Sequence, residues 1–342
     1  MNTWKHSIIG IIAVIALAFT ACDDGNGNNT PAHVHDYTVW KENQPADGRE
    51  TLVCSHDNSH ASTQTRTVMV SVPGGTFDMG QGVGNSSPPV HDVTLTGFYI
   101  GKYEVTQAQW QAVMGTTIQE LQTAAAPTNT DNFGRGGSYP VYYVRWYDAL
   151  VFCNKLSVTE GLTPAYRISD STNPDDWGTV PTSNTAANKA SWDAVTIVSD
   201  STGYRLPTEA QWEYVAKGGD PTAAGWVRYP YAGSDTVDDV AWYRGNSGSA
   251  SHAVGTKAAN GLGIYDMSGN VQEWCWDWSG SYSSDPQTDP TGPADETPGY
   301  GRVRRNGYWN QSAIDVITIS RGNNTPDTRG NFLGFRLARP TN

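Results

Sequence analysis

The sequence predicts an α+β fold in which loops outweigh regular elements. Thirteen Trp and 36 Gly in 342 residues, with only 16% charged side chains, describe aromatic packing between turns rather than long amphipathic helices. Strand-like alternation comes in short pieces cut by Gly, Pro and Asn. Helix start signals with an apolar stripe behind them occur at Thr106, near Trp146 and at Thr208, and few later segments could make three turns.

The chain opens with Met1 to Ser7, which carries Lys5, then the apolar run Ile8 to Phe19, then Thr20-Ala21-Cys22. A basic start, a short apolar core and small residues before a cleavage point read as an export signal. The run is shorter than the roughly 20 apolar residues that span a bilayer. Cys22 directly after Ala21 resembles a lipoprotein lipobox, so residues 1–21 are the expected signal peptide and Cys22 the lipidated first residue. Residues 22–32, rich in Gly, Asn and Asp, read as a tether. Residues 33–66 read as a small β-rich spacer module. It holds His33, His35, Cys54, His56 and His60, which are zinc-ligand types. Their spacing matches no zinc pattern and does not decide whether they bind metal.

The main domain is expected over 67–342. Val68 to Gly80 reads as strand, turn and strand, and His91 to Val105 alternates through Val93, Leu95 and Phe98. Thr106 with Gln109 forms a capping-box pattern ahead of Trp110, Val113 and Met114, and Gly115 can close that helix. A second helix is expected from Trp146 to Leu156, with Ala149, Phe152, Cys153 and Leu156 on one buried stripe. Residues 158–203 read as turns and short strands. Thr208 and Gln211 cap a third helix that Gly218-Gly219 ends, with Glu209 in its first turn and Glu213 on a solvated face.

The net charge of −12 disfavours nucleic acid and anionic membrane surfaces, because like charges repel. Membrane association is then expected through the N-terminal lipid only. After Cys22 the cysteines are Cys54, Cys153 and Cys275, too few for a disulfide scaffold.

Several segments in fixed order resemble the formylglycine-generating enzyme (sulfatase-modifying factor) family: Gly74-Gly75-Thr76-Phe77-Asp78-Met79-Gly80, Tyr103-Glu104-Val105-Thr106, Tyr204 to Tyr214, Gly263 to Trp274, and Gly334-Phe335-Arg336. The resemblance covers about residues 67 to 340 and implies a C-type-lectin-like fold, α+β with small twisted sheets and abundant irregular structure. The family's enzymes oxidise a substrate cysteine with two cysteines and copper, chemistry that needs thiolates. The positions matched to those cysteines hold Ala313 and Thr318, so a cysteine oxidase is not expected and no catalytic residue is assigned. The resemblance also implies one structural calcium ion held by Asp266, Glu273 and the carbonyls of Gly269 and Val271, oxygen donors suited to a hard cation.

Residues 302–336 resemble the variable region of diversity-generating-retroelement proteins, a set that includes treponemal surface lipoproteins on this scaffold. Arg302-Val303, Gly307, Trp309, Arg321, Pro326 and Leu333 to Arg336 read as framework, with irregular polar residues between them. Randomised Asn codons in such regions cannot give Lys, Glu, Met, Gln or Trp. Gly301 to Asn342 contains no Lys, Glu or Met, whereas Gln311 breaks the pattern. The expected ligand-binding residues are Tyr308, Asn310, Gln311, Ser312, Ile314, Asp315, Ile317, Ser320, Gly322, Asn323, Asn324, Thr328 and Phe332. Rigid aromatics among short polar groups are paratope-like chemistry. The expected protein is a monomeric, lipid-anchored binder in the cell envelope, at the outer-membrane surface, with a protein or glycan ligand. The competing readings are an enzyme of altered chemistry using His91, Asp148, Glu209 and Glu213, and a structural envelope lipoprotein.

Overall fold

The computed structural model describes residues 37–43, 46–54, 61–83, 86–296 and 300–341. The chain divides into two compact units. The first, Met1–Lys41 with Thr51–Thr65, is built on β1 (Tyr37–Glu42), β2 (Arg49–Cys54) and β3 (Ala61–Thr67), paired in that order. Cys22, the 22–32 stretch, His33, His35, His56 and His60 lie outside the described residues, and Cys54 is the last residue of β2.

The second unit, Glu42–Glu50 with Arg66–Asn342, opens with β4 (Met69–Val72), a Pro73-Gly74 turn and β5 (Gly75–Gln81). The alternation beyond His91 is two strands, because Thr96-Gly97 interrupts it: β6 (Ser86–Leu95) and β7 (Phe98–Gly101). Phe77 of β5 faces Val93 of β6 across an antiparallel ladder, and both are buried. In α1 (Gln107–Met114) the Thr106 hydroxyl accepts from the Gln109 N–H while the Gln109 amide returns the bond, and Gly115 closes the helix at φ 71°. Thr117 and Glu120 make the same reciprocal box for α2 (Ile118–Ala125), a helix the sequence reading did not include.

α3 (Trp146–Thr159) runs past the expected end at Leu156 and buries Trp146, Tyr147 and Asn154 as well as the expected stripe. The next stretch holds β8 (Tyr166–Arg167), α4 (Lys189–Asp193) and β9 (Thr196–Ile197). Every residue of α5 (Glu209–Ala216) is buried. Glu213 is therefore not on a solvated face: it is completely buried among Lys217, Arg305 and the Gly80 amide.

The rest of the chain is α6 (Val237–Val240), β10 (Gln272–Trp278), β11 (Gln287–Thr288), β12 (Arg302–Arg305), β13 (Arg321–Asn324), β14 (Leu333–Phe335) and β15 (Ala338–Pro340). One sheet runs β13-β12-β10-β14, with β14 parallel to β10 and the other pairs antiparallel. β15 returns beside β7, so residues near the C-terminus close the sheet that opened the unit. Trp110, Trp146, Phe152, Trp274 and Phe335 pack in one core cluster, and Phe77, Val93, Trp212 and Tyr214 in another. Among the described residues no helix is long and apolar enough to cross a membrane.

Candidate ligand-binding site

Buried arginine–carboxylate pairs anchor the C-terminal segment. Arg305 of β12 places Nη2 2.7 Å from Glu213 Oε2 and Nη1 3.3 Å from Glu209 Oε1. Its Nη2 also donates to the Thr318 carbonyl, which ties α5 to the turn before β13. Arg321 grips Glu209 through Nε and Nη2 at 2.6 and 2.9 Å, and donates Nη1 to the Gly280 carbonyl. Arg336 pairs with both oxygens of Glu273 at 2.8 and 2.7 Å. Burial alone would raise the Glu213 carboxyl, but Lys217 and Arg305 beside it hold it below the ordinary carboxylate range. Removing one member of such a pair strands a buried charge, a loss of about 3–5 kcal/mol.

The turn between β12 and the exposed loop is equally constrained. Asn306 is left-handed at φ 70°. A Cβ on Gly307 would lie 2.5 Å from the Asp315 carbonyl, so only glycine fits there. Trp309 is 4% exposed; its ring stacks on Phe133 at 5.7 Å and its Nε1–H donates to the Asn331 carbonyl. Gly307, Pro326 and Leu333 to Arg336 are buried, while Arg321 is partly exposed.

None of the thirteen expected ligand-binding residues is buried. Asn310 and Ile314 are exposed, Ile314 to 64%, and the others are intermediate. The Tyr308 and Phe332 rings lie 4.9 Å apart, and Gln311 Oε1 accepts from the Tyr308 N–H and from Gln272 Nε2. Ser312 and Asp315 cap a single 3₁₀ turn over Ala313–Asp315. Ile317 and Ser320 form the turn before β13, with the Ser320 N–H donating to the Ile317 carbonyl. Gly322, Asn323 and Asn324 lie on β13 opposite Arg304, Val303 and Arg302, and the Thr328 hydroxyl meets that of Thr325 at 3.1 Å.

Residues absent from the expected set also reach this face. Arg244 donates through N–H and Nε to the carbonyls of Gln311 and Asn310. Gln272 is buried with Oε1 unpartnered among the described residues. Arg304 is partly exposed beside Gly322, and strand alternation with buried Val303 and Arg305 could have placed it outward. No local signal marks Arg244 or Gln272.

Ala313 opens the 3₁₀ turn and Thr318 is buried, its N–H donating to the Pro230 carbonyl. Cys153 and Cys275 are buried free thiols, and burial pushes both up, away from thiolate character.

The calcium donor set is engaged by the protein itself. Asn306 Nδ2 sits 2.9, 2.6 and 3.1 Å from the carbonyls of Asp266, Gly269 and Val271. Both Glu273 oxygens are held by Arg336, and one also accepts from Trp212 Nε1. Asp266 Oδ2 accepts the Gly255 N–H, which leaves only its buried Oδ1 without a partner among the described residues. Arranged this way, these residues do not fit a calcium ion.

The four acid–base candidates are not brought together. His91 and Glu209 line a cavity of about 610 Å³ with Asp277, Tyr282 and Arg321. There the Tyr282 hydroxyl donates to Glu209 Oε1, and Asp277 is pushed up to about 7 by burial and by Glu209. Glu213 is locked by Lys217 and Arg305, and Asp148 faces Arg145 and Arg329 instead.

Residues 55–341 match the sulfatase-modifying factor enzyme 1-like domain. The chain belongs to that family. The family's loop-rich, C-type-lectin-like α+β fold is the one described above. The structure of Treponema denticola variable protein 1 is similar at 35% identity and a TM-score of 0.67, covering 82% of this chain and 96% of that one. A Paenibacillus barcinonensis relative, chaperone protein LppX, is 39% identical over 82% of this chain and 92% of its own length. The Streptomyces coelicolor formylglycine-generating enzyme, of the same family, is 31% identical over 79% of this chain and 88% of its own.

Proposed function

We propose that this protein is an exported, lipid-anchored binding protein whose C-terminal loops form a sequence-variable ligand site, and that it is not a cysteine oxidase. The observation carrying the reading is the division of residues 307–336. The framework side chains are buried or ion-paired, and every expected ligand-binding residue retains surface exposure. That arrangement lets side chains change without disturbing the fold. Ala313 and Thr318 in place of thiols argue against copper-dependent oxidation, as do the buried Cys153 and Cys275. Likeness to a treponemal variable protein and to a protein named as a chaperone supports binding over covalent chemistry. The site is read as serving a monomeric chain at the outer surface of the envelope. Its partner is a protein or glycan, not nucleic acid.

A combined replacement of Tyr308, Asn310, Ile314, Asn323 and Thr328 tests this. The variant is expected to melt cooperatively near the parent temperature, the changes at exposed Asn310 and Ile314 costing within about 0.5 kcal/mol each, while its binding profile against envelope and host-surface proteins changes. Trp309→Ala is expected to cost about 3–5 kcal/mol. An unfolded combined variant would make these side chains core and end the variable-site reading. Copper-dependent oxidation of a cysteine peptide by the purified parent would overturn the non-oxidase assignment.

A further inference from the structure

Arg304 stands apart from the other arginines of the C-terminal segment. Arg305, Arg321, Arg329 and Arg336 each face a carboxylate. Arg302 lies 3.8 and 3.6 Å from the rings of Trp146 and Trp278 and donates to the Trp276 carbonyl. Arg304 donates Nε to Asn324 Oδ1 at 2.6 Å, and its two terminal nitrogens meet no acceptor among the described residues. It is partly buried, and burial lowers its proton affinity; the Tyr308 phenol offsets part of this, and no carboxylate pairs with it among the described residues. A guanidinium that has lost part of its water and gained no counter-ion is costly to keep.

The guanidinium is also held in place. Arg304 is directly opposite Gly322 in the β12–β13 register. A Cβ on Gly322 would lie 2.7 Å from Cζ, 2.9 Å from Nη1 and 3.0 Å from Nη2, so the guanidinium group rests against bare backbone. Nε is occupied by Asn324, so the free edge is the Nη1–Nη2 pair, a fork that matches the two oxygens of a carboxylate. The Tyr308–Phe332 pair stands on the same segment, and its Tyr308 is the residue that acts on Arg304.

We infer that Arg304 is a fixed carboxylate-binding residue in the variable site, and that the site takes an Asp or Glu side chain presented by a protein partner. This rests on the variable-site reading above. The free Nη1–Nη2 edge offers two parallel donors, which suit the two oxygens of a planar carboxylate, and phosphate serves as the competing probe because Arg244 reaches the same face. Exposed Ile314 and the aromatic pair suit a protein surface better than a sugar. Position 322 then decides whether the hook is usable, because any side chain there displaces the guanidinium.

The test is a calorimetric titration of the protein and of each variant, with the Arg304 guanidinium ¹⁵N resonances followed in the parent. The probes are an acetylated Tyr-Glu-Tyr amide, its Tyr-Gln-Tyr counterpart, inorganic phosphate and a sialylated trisaccharide. The Glu peptide is expected to shift the signals saturably and the Gln peptide to bind about tenfold or more weakly. Arg304→Gln is expected to abolish the difference. Arg304→Lys, which keeps the charge but loses the fork, and Gly322→Val are expected to reduce it, with unchanged melting as the folding control. Equal binding of both peptides, no binding of the Glu peptide, or unaltered binding by Arg304→Gln overturns the inference. Tighter binding of phosphate or the sialylated sugar does so too. The combined replacement variant is scored separately. A site that tolerates it but ignores carboxylates sinks only the role of Arg304.

Discussion

Asn306 shows how one side chain can settle the character of a site. A primary amide has two hydrogens, yet three carbonyls, those of Asp266, Gly269 and Val271, converge on its Nδ2. Its Oδ1 accepts the amides of Gly269 and Gly307, so the side chain is used at both ends. The residue occupies the centre of what would otherwise be an oxygen-lined turn. Calcium added to chelator-treated protein is therefore expected to leave the melting temperature of the parent unchanged. In Asn306→Gly, a change that suits φ 70°, the three carbonyls are freed. That variant is expected to melt lower without calcium and to rise in melting temperature with it. A calcium-dependent rise in the parent would show that the amide yields to the ion.

At the scale of elements, α5 and β10 carry the supports of the site in a buried interior. Their interior end holds Asp277, whose Oδ2 accepts the Glu209 N–H and whose charge is opposed by Glu209 and favoured by Arg302. Its carboxyl is pushed up to about 7, from the ordinary value of 3.8. Over that window the folded chain keeps a proton that the unfolded chain releases. The stability this group contributes is present below the unfolded value and lost as pH rises through the folded one, at about 1.4 kcal/mol per unit. Glu213, held below the ordinary range, acts in the opposite sense at acid pH, so the parent curve mixes the two. Asp277→Asn isolates the first. Its melting temperature relative to the parent is expected to climb between about pH 4 and pH 8. A constant difference would mean that Asp277 is already ionised in the folded chain.

For the whole molecule, the N-terminal reading is the part that governs location. The basic start, the Ile8–Phe19 run and Ala21-Cys22 predict cleavage and lipidation at Cys22. Cys22→Ala is expected to move the protein from the detergent phase to the aqueous phase in a detergent partition. Unchanged partitioning would remove the lipid anchor from the account.

The sequence by itself determined what depends on near neighbours. Capping boxes at Thr106 and Thr208 span three residues, the turn at Pro73-Gly74 is local chemistry, and the stripe of α3 repeats within one helix. The Thr117–Glu120 box was equally readable and marks α2. The division of 302–336 into framework and loop residues rests on the resemblance to variable regions, since Gly322 falls among the loop residues and Arg321 among the framework. Only the tertiary structure decided what depends on partners far along the chain. Glu213 reads as a surface residue until Arg305, 92 residues later, arrives beside it. Glu273 reads as a metal ligand until Arg336 covers it, and Arg304 carries no assigned role until its neighbours prove to hold no paired carboxylate. The physical reason is that a charge declares its role through its counter-charge. In this fold most counter-charges come from strands and helices that sequence spacing does not connect.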